Sequence, residues 1–285
     1  MPRKFAQLAK FLDVSSTERQ TIMPRILMCP PDYYGIEYEI NAWMSRSRPS
    51  DRSRASEQWQ ALKLLIEQTG ATVELFDPLP GLPDYVFTAN AALIFHNRAI
   101  MARFRPPQRQ PETPHAAAWF RDHGFQVEEI PGQETFEGAG DALFCGETLF
   151  AGYRFRSAAA GEQALGRMLG CEVLPLELVN PQFYHLDTCF CPLAPGQALY
   201  YPPAFDEYGL KVLRARIPDL IEVIPEEAAH FACNAVVLDK TVITHIGCES
   251  LHQELRQRGF TPIGTPLDEF IKAGGSAKCL TLRLD

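Results

Sequence analysis

The sequence predicts one α/β domain in which five similar units form a propeller. One order of elements, a β-hairpin, a helix and a third strand, recurs along the chain with little sequence identity. Four copies are complete, and the pieces of a fifth stand at the two ends of the chain. Each predicted helix follows an apparent hairpin, whereas the alternative, an open α/β sheet, would join parallel strands through helices. Five radial units would also protect the edges of their sheets.

The first complete copy shows how each element is predicted. Apolar residues alternate or run together on both sides of His96-Asn97, which is typical of a hairpin. Thr113 can cap a helix whose first turn holds Pro114, and Gly124 can end that helix. The predicted elements are strands at 91–95 and 99–104, a helix at 116–123 and a strand at 125–130.

The next three copies repeat this order, with Gly146, Pro195-Gly196 and Asp239-Lys240 at their hairpin turns. Gly170 follows the helix of the second copy and can end it. The predicted strand pairs are 142–144 with 148–151, 189–193 with 198–201, and 235–238 with 242–246. The predicted helices are 158–169, 206–216 and 249–258, and the third strands are 171–176, 220–224 and 260–263.

The fifth copy is divided between the chain ends. It begins with a strand at 280–284, and its remaining strand, helix and third strand are predicted at 26–29, 50–69 and 71–76. The helix carries its apolar residues on one face, as a helix packed on a sheet does. Pairing of the two ends would complete the fifth unit. We therefore expect an N-terminal extension at 1–20 and a single propeller domain at 21–285.

Composition and charge argue against several classes of protein. The formal net charge is -8 and the charges are interspersed, so a nucleic-acid partner is not expected. The run of about 18 apolar residues that a membrane span requires occurs nowhere. The 8 cysteines include no CxxC pair and no zinc-site spacing, which favours reduced thiols in a cytoplasmic protein that needs no metal or cofactor. A homo-oligomer is compatible with the sequence.

Polar residues stand directly before the first strand of every unit. Equivalent positions of a radial array face its axis, so these clusters would line one central cavity and form a ligand site. Asp84 and Asp141 could serve a turn or a ligand equally well, and their roles stay open. The clusters are Phe87-Thr88-Ala89-Asn90, Phe136-Glu137-Gly138-Ala139-Gly140-Asp141, His185-Leu186-Asp187-Thr188, Cys233-Asn234 and Ser276-Ala277-Lys278-Cys279.

Cys279 is the candidate nucleophile of this cavity, with a buried core cysteine as the alternative interpretation. A nearby cation, such as His185 or a bound guanidinium, could lower the pKa of its thiol. His185 and Asp187 are two residues apart, which on a strand would place both side chains on the same face. Glu137 could hydrogen-bond the His185 ring and orient it.

Taken together, these motifs resemble the guanidino-group-modifying superfamily, which includes arginine deiminase, dimethylarginine dimethylaminohydrolase and glycine amidinotransferase. The resemblance extends over nearly the whole chain, from Met28-Cys29-Pro30-Pro31 to Gly-Gly-Ser-Ala-Lys-Cys279. Phe-Glu-Gly-Ala-Gly-Asp, His-Leu-Asp-Thr and the late Gly-Gly-x-x-x-Cys are specific in combination and weak singly. The superfamily has the pentein fold, a fivefold α/β propeller, which agrees with the repeat.

The resemblance implies catalytic roles for Cys279, His185 and Glu137 and a substrate-binding role for Asp187. Cys279 would attack the guanidinium carbon, while Asp187 would hold the guanidinium nitrogens. His185 would protonate the departing nitrogen and then activate water. Glu137 would support His185.

The resemblance also implies that two arginines clamp the α-carboxylate of the substrate, which an arginine fork matches in shape and charge. These are Arg109, which stands 19 residues after Asn90, and Arg154 in Gly-Tyr-Arg-Phe-Arg. Arg103 and Arg105 are competing candidates for the place of Arg109.

One position departs from the pattern of some members of this superfamily. Asn90 stands where deiminases and dimethylarginine hydrolases have an aspartate, and Asn41 lies in Tyr-Glu-Ile-Asn-Ala-Trp-Met. This pair most closely resembles the arginine dihydrolases, which convert arginine to ornithine, carbon dioxide and two ammonia. An amide donates as well as accepts, so it could hold the neutral ureido group of bound citrulline.

Other functions stay open from the sequence. The nearest alternative is a deiminase or a dimethylarginine dimethylaminohydrolase, which stops at citrulline. An alternative of another class is a catalytically silent arginine-binding protein, and a metal-dependent hydrolase is a more remote one. Larger dihydrolases continue into a second domain, so a coupled downstream step is not expected in this chain.

Overall fold

The computed structural model describes residues 23–285. The N-terminal extension predicted at 1–20 lies outside the described residues. Within residues 23–285, no helix is long and apolar enough to cross a membrane.

Fifteen strands within residues 23–285 form five three-stranded sheets, which confirms the fivefold pattern. The strands are β1 (Arg25–Met28), β2 (Thr72–Leu75), β3 (Ala92–Phe95), β4 (Arg98–Met101), β5 (Gln126–Glu129), β6 (Ala142–Cys145), β7 (Thr148–Tyr153), β8 (Val173–Glu177), β9 (Phe190–Ala194), β10 (Gln197–Tyr200), β11 (Asp219–Glu222), β12 (Val236–Leu238), β13 (Thr241–His245), β14 (Thr261–Thr265) and β15 (Leu282–Arg283). In each sheet the middle strand pairs antiparallel with the first strand of its unit and parallel with the third.

The two ends of the described chain share one sheet, as the divided fifth copy predicts. Strand β1 pairs antiparallel with β15, with Ile26 opposite Arg283 and Leu27 opposite Leu282, and parallel with β2. The predicted strand at 280–284 is shorter in the structure because the preceding residues wind into a turn. In that turn the backbone nitrogen of Leu280 donates to the carbonyl of Ser276.

The helices lie between the second and third strands of the units, with two short additional ones. They are α1 (Arg52–Gln68), α2 (Glu112–Asp122), α3 (Ala159–Leu169), α4 (Glu207–Arg216), α5 (Pro225–Ala228), α6 (Glu249–Gln257) and α7 (Asp268–Ile271). Asp206 caps α4 by accepting from the backbone nitrogens of Tyr208 and Gly209. Gly170 ends α3 in the left-handed conformation with φ 68°.

One predicted helix cap is wrong. Thr113 does not begin α2, since the helix starts one residue earlier, at Glu112, with Pro111 at its N-cap. The Thr113 hydroxyl donates instead to the carbonyl of Ala102, next to strand β4, at 3.0 Å. The side chain therefore ties the helix to the sheet and does not cap it.

The polar clusters form tight turns that lead directly into the first strands. Three are single 3-10 turns, Thr88–Asn90, Gly138–Gly140 and Leu186–Thr188, which precede β3, β6 and β9. The other two are the turns at 231–234 and 276–279, which precede β12 and β15. Each turn leaves its polar side chains close to the point where the strands begin, so the same local structure, used five times, builds the site.

Candidate active site

Cys279 is buried, with 2% of its surface exposed, but its sulfur has polar neighbours. The Asn234 Nδ2 donates to Sγ at 3.1 Å, and the thiol donates to Asp187 Oδ2 at 3.4 Å. Burial, with the charge of Asp187 adding to it, raises the pKa of the Cys279 thiol well above its ordinary value. The resting sulfur is therefore a neutral thiol, and a cation has to approach before it ionises.

Asp187 is completely buried, and one of its two carboxylate oxygens accepts no hydrogen bond from the described residues. Its Oδ1 has no hydrogen-bond partner among residues 23–285, whereas Oδ2 accepts from the Cys279 thiol. Burial raises the pKa of Asp187 to about 7, although the charge of Lys278 opposes the rise. A cationic ligand with N–H donors would satisfy Oδ1 and favour the ionised carboxylate.

His185 and Glu137 form a buried pair, with 2.8 Å between His185 Nε2 and Glu137 Oε2. The same carboxylate oxygen accepts from Arg156 Nη1 at 3.0 Å, and Oε1 accepts from the backbone nitrogen of Arg105 at 3.1 Å. Burial alone would raise the pKa of Glu137, but Arg156 and His185 outweigh it and lower the pKa to about 2. Glu137 is thus ionised at neutral pH and holds the imidazole in place.

The structure changes the interpretation of His-Leu-Asp as a strand. His185 precedes a 3-10 turn and Asp187 lies within it, so the two side chains do not share the face of a strand. His185 turns to Glu137, and Asp187 turns to Cys279.

Asp141 stabilises the 3-10 turn that contains Asp187. Its Oδ1 accepts from the backbone nitrogen of Leu186 at 3.1 Å, and its Oδ2 accepts from the Ser157 hydroxyl at 2.6 Å. Burial raises the pKa of Asp141 to about 6, against the opposing charge of His185. Of the two roles left open by the sequence, these contacts favour the structural one.

Arg109 is buried and is held mainly by Glu112, whose two carboxylate oxygens accept from Nε at 2.9 Å and from Nη2 at 2.8 Å. Its Nη1 donates to Asn90 Oδ1 at 2.9 Å. Asn90 in turn donates from Nδ2 to the carbonyl of Glu137 at 3.3 Å. The structure therefore brings Arg109, Asn90 and Glu137 together.

The structure does not bring Arg154 to this group. Arg154 is half-exposed and pairs with Glu177 at 2.7 Å, with its backbone at φ 106°. Arg156, two residues later, is buried, lies over the Tyr184 ring and donates to Glu137. The second arginine that lines the cavity, beside Arg109, is thus Arg156, the last residue of Gly-Tyr-Arg-Phe-Arg, and not Arg154.

Asn41 holds the chain segment that lies over the cavity. Its Oδ1 accepts from the backbone nitrogens of Trp43 and Met44, and its Nδ2 donates to the carbonyl of Ala273 at 2.9 Å. The side chain thus caps a turn and anchors it near Gly274.

A small cavity, here called the front cavity, lies among these groups and has a volume of about 10 Å³. Glu137, His185 and Asp187 do not line it: Glu137 contacts the lining residue Arg156, His185 contacts Glu137, and Asp187 contacts the lining residue Cys279. A Cβ at Gly140 would collide with Asn90 Nδ2 and lie 3.7 Å from His185 Cγ, so glycine lets the Asn90 side chain and the imidazole approach each other. The cavity is lined by Ile40, Asn41, Met44, Asp84, Phe87, Asn90, Arg109, Arg156, Tyr184, Ala273, Gly274 and Cys279.

Asp84 lines the front cavity and is buried, and its Oδ1 has no hydrogen-bond partner within the described part of the chain. Burial raises the pKa of Asp84, with the charge of Arg109 opposing it. A second buried carboxyl oxygen is therefore free to accept from a ligand.

Asn234, which belongs to a cluster expected to line the cavity but has no role predicted from the sequence, contacts the nucleophile directly. Its Oδ1 accepts from the backbone nitrogens of Ser276 at 3.0 Å and Cys279 at 3.1 Å, and its Nδ2 donates to the sulfur and to the carbonyl of Asp187. The signal was present, since Cys233-Asn234 stands where the other units carry active-site groups.

Comparison with known proteins gives the same picture over most of the chain. Residues 33–284 match the family model described as N,N dimethylarginine dimethylhydrolase, eukaryotic. The chain is 48% identical over 265 residues to the bifunctional arginine dihydrolase/ornithine cyclodeaminase ArgZ of Synechocystis sp., covering 91% of this chain and 37% of that protein. It is 39% identical over 260 residues to the N(G),N(G)-dimethylarginine dimethylaminohydrolase of Mycobacterium tuberculosis, covering 91% of this chain and 85% of that protein.

Solved structures agree with these relatives. The N-terminal domain of ArgZ, as a mutant bound to substrate, superposes with a TM-score of 0.89 at 47% identity, covering 92% of this chain and 98% of that chain. A variant of that domain is known covalently bound to a reaction intermediate. The dimethylarginine hydrolase of Pseudomonas aeruginosa in complex with citrulline has a TM-score of 0.80 at 22% identity, covers 92% of this chain and 99% of that chain, and supports the pentein fold alone.

Proposed function

Because the chain belongs to the dimethylarginine dimethylaminohydrolase family, we propose that it is an arginine dihydrolase that converts L-arginine to L-ornithine, CO2 and two NH3. The observation that carries this choice is the amide of Asn90 on the wall of a cavity that also holds the Cys279 sulfur. The similarity to ArgZ supports the same choice. The chain spans 37% of the length of ArgZ, and the proposal concerns the dihydrolase reaction only.

Substrate binding prepares the nucleophile. The guanidinium donates to the free oxygen of Asp187, and its positive charge beside the sulfur lowers the pKa of the Cys279 thiol. Arg109 and Arg156 receive the α-carboxylate from one side of the front cavity. Because the cavity is almost filled by its own side chains, the segment held by Asn41 has to move before arginine enters.

The first round removes one terminal nitrogen. The Cys279 sulfur forms a bond to the guanidinium carbon, and the bond to a terminal nitrogen breaks as His185 gives it a proton, which releases NH3. The remaining covalent intermediate is a thiouronium. Water then adds to the same carbon while His185 takes its proton, and the C–S bond breaks to leave citrulline in the site.

The second round uses the same groups on the ureido carbon. The sulfur attacks again, the bond to the side-chain nitrogen breaks, and that nitrogen leaves protonated as part of ornithine. Water cleaves the S-carbamoyl group, and the carbamate decays to CO2 and NH3. Two water molecules are consumed in total. The Asn90 amide can turn a donor toward the ureido oxygen, which a carboxylate at this position would repel.

Product analysis tests the proposal. Purified protein is incubated with arginine, citrulline or dimethylarginine, and every product is identified by mass spectrometry, with ammonia measured separately. Ornithine with two equivalents of ammonia is the expected result, and stoichiometric citrulline would contradict it. Cys279→Ser should abolish turnover, while Cys171→Ser, at a half-buried cysteine outside the site, should not. Unchanged turnover in Cys279→Ser would overturn cysteine chemistry altogether.

A further inference from the structure

A second, larger cavity lies on the other side of the turn that carries Cys279. It has a volume of about 350 Å³, within the range of small-molecule sites, and is here called the rear cavity. The first strand of every unit contributes to its wall, so it follows the axis around which the units are arranged. It shares no lining residue with the front cavity, although Lys278 lines the rear cavity and the next residue, Cys279, lines the front one.

The walls of the rear cavity are mainly apolar, and the charged residues Arg283 and Asp285 that also line it pair with each other at 3.0 Å. The apolar residues include Leu93 from β3, Phe144 from β6, Leu193 from β9 and Val237 from β12. A ligand that fills this space would therefore gain from burying hydrocarbon.

Lys278 lines the rear cavity, where burial lowers the pKa of its ammonium group and the charge of Asp187 opposes that fall. Lys278 is partly exposed although its neighbours Ala277 and Cys279 are buried, so its side chain reaches solvent through this cavity. Its Nζ donates to the carbonyl of Thr281 at 3.4 Å, and no carboxylate of residues 23–285 forms an ion pair with it. An ammonium group has three donors, and most of this capacity is unused.

We propose that the rear cavity is a second ligand site for a small amphipathic carboxylate, whose anionic end pairs with Lys278 and whose chain lies along the apolar walls. An ammonium at the end of an apolar cavity selects an anion over a neutral or cationic molecule of the same shape. Within residues 23–285 the charge of Lys278 acts on Asp187 without a direct ion pair, so a carboxylate ligand would supply the direct partner.

Occupation of this site is coupled to the front cavity through Asp187. The charge of Lys278 favours the ionised form of Asp187, which holds the guanidinium in the proposed function. A bound carboxylate neutralises Lys278, so Asp187 holds arginine less well. By reciprocity, arginine weakens the binding of the carboxylate by the same factor.

Hexanoate is the probe for the binding test, with hexanol and hexylamine as ligands of similar size without the negative charge. Titration calorimetry of the whole chain should show one saturable hexanoate site, and Lys278→Met should weaken it about tenfold or more, as loss of a charge-assisted pair does. Lys240→Met is the matched control, since Lys240 lies over Phe260 outside the cavity, and it should bind hexanoate as the wild type does. Val237→Trp should also abolish binding by filling the cavity, which keeps the test valid if Lys278→Met fails to fold.

Several results would overturn the proposal. One is the absence of saturable hexanoate binding, which is expected if another copy of the chain or a protein partner covers the cavity. The others are an affinity for hexanol equal to that for hexanoate, and an unchanged affinity for hexanoate in Lys278→Met. Binding in the front cavity alone is detected with Cys279→Ala and saturating arginine. If hexanoate binds in the front cavity, saturating arginine would displace it completely. If hexanoate binds in the rear cavity, arginine weakens its binding by a limited factor. Calorimetry does not depend on turnover. The binding test can therefore fail while the proposed function holds, and the proposed function can fail while hexanoate still binds.

Discussion

Asn234 Nδ2 donates to Cys279 Sγ over 3.1 Å, and Oδ1 of the same amide accepts from the backbone nitrogen of Cys279. One side chain therefore sets both the position of the sulfur and the polarity around it. A donor at this distance favours a thiolate over a thiol. Asn234 is a positioning residue for the nucleophile, although it has no proton to exchange with a substrate.

Asn234→Asp should slow the reaction of Cys279 with iodoacetamide about tenfold or more at pH 8. The change removes the donor and places a negative charge beside the sulfur, which raises the pKa of the thiol. The rate is followed by mass spectrometry of the peptide that contains Cys279. Asn180→Asp is the control, because the Asn180 side chain only accepts from the backbone nitrogen of Gln182, as an aspartate can. Equal rates in both variants would remove the role given to Asn234.

Glu137→Gln should reduce turnover about a hundredfold or more and lower the free energy of unfolding by about 3 kcal/mol. The variant leaves the buried Arg156 without its counterion and releases the His185 ring from its acceptor. Turnover and urea unfolding measure the two effects. Glu134→Gln, at an exposed side chain nearby, should change neither. A fully active Glu137→Gln protein would show that His185 needs no support.

Arg156→Lys should raise the KM for arginine about tenfold or more, whereas Arg154→Lys should leave it within about a factor of two. A lysine keeps the charge but loses the fork that pairs with a carboxylate in two places. Arg154 is half-exposed and pairs with Glu177, so it serves as the matched control. Steady-state kinetics measure the KM of both variants. A large rise in KM for Arg154→Lys with none for Arg156→Lys would restore the prediction that Arg154 binds the carboxylate.

Asn90→Asp should change the product from ornithine to citrulline. An aspartate can still accept from Arg109 but cannot donate to a ureido oxygen, so the second round should slow more than the first. The ratio of ornithine to citrulline, measured over time, reports this directly. Asn97→Asp, on an exposed hairpin turn, should keep the wild-type ratio. An Asn90→Asp enzyme that still gives only ornithine would show that the amide does not decide the outcome.

Asp187→Asn should abolish turnover and stabilise the protein at pH 8. The pKa of Asp187 rises from its ordinary value of 3.8 to about 7 on folding, so the folded state binds more protons between these values. The stability that this group contributes is complete below pH 4 and is lost as the pH rises through 7. An asparagine does not ionise, so the variant does not lose this stability. The melting temperature of Asp187→Asn should exceed that of the wild type by about 3 °C or more at pH 8.

The same comparison at lower pH supplies the check on this prediction. The difference in melting temperature should shrink as the pH falls from 8 to 5, because Asp187 becomes protonated and resembles the amide. Asp122→Asn, at an exposed position near the end of α2, should show no such pH dependence. A lower melting temperature for Asp187→Asn at pH 8 would contradict the inferred cost of burying this charge.

Much of the fold could be predicted because its signals are local. Gly170 and Asp206 mark the ends of helices through their own backbone and side-chain geometry, and the structure places both where the sequence indicated. The hairpins follow from alternating apolar residues with turn residues between them. The order of elements then led to the pairing of β1 with β15, although these strands are far apart in the sequence.

The details of the site depend on directions that a sequence pattern does not contain. Strand β7 ends at Tyr153, and the chain then turns with Arg154 at φ 106°, so this side chain points away from the cavity and that of Arg156 points toward it. Arg154 and Arg156 are the same type of residue, and only the backbone turn between them directs their side chains differently. Asn41 is a similar case, since its contacts with Trp43 and Met44 exist only once the turn has formed.

The turns at 88–90, 138–140, 186–188, 231–234 and 276–279 each bring part of the site from a different sheet. No fragment that lacks one of these sheets would keep a complete set of groups, and local opening of any single unit would separate the sulfur, the imidazole or the arginines. Catalysis therefore reports on the integrity of the entire ring, and loss of activity on heating should coincide with the first cooperative unfolding event wherever it begins.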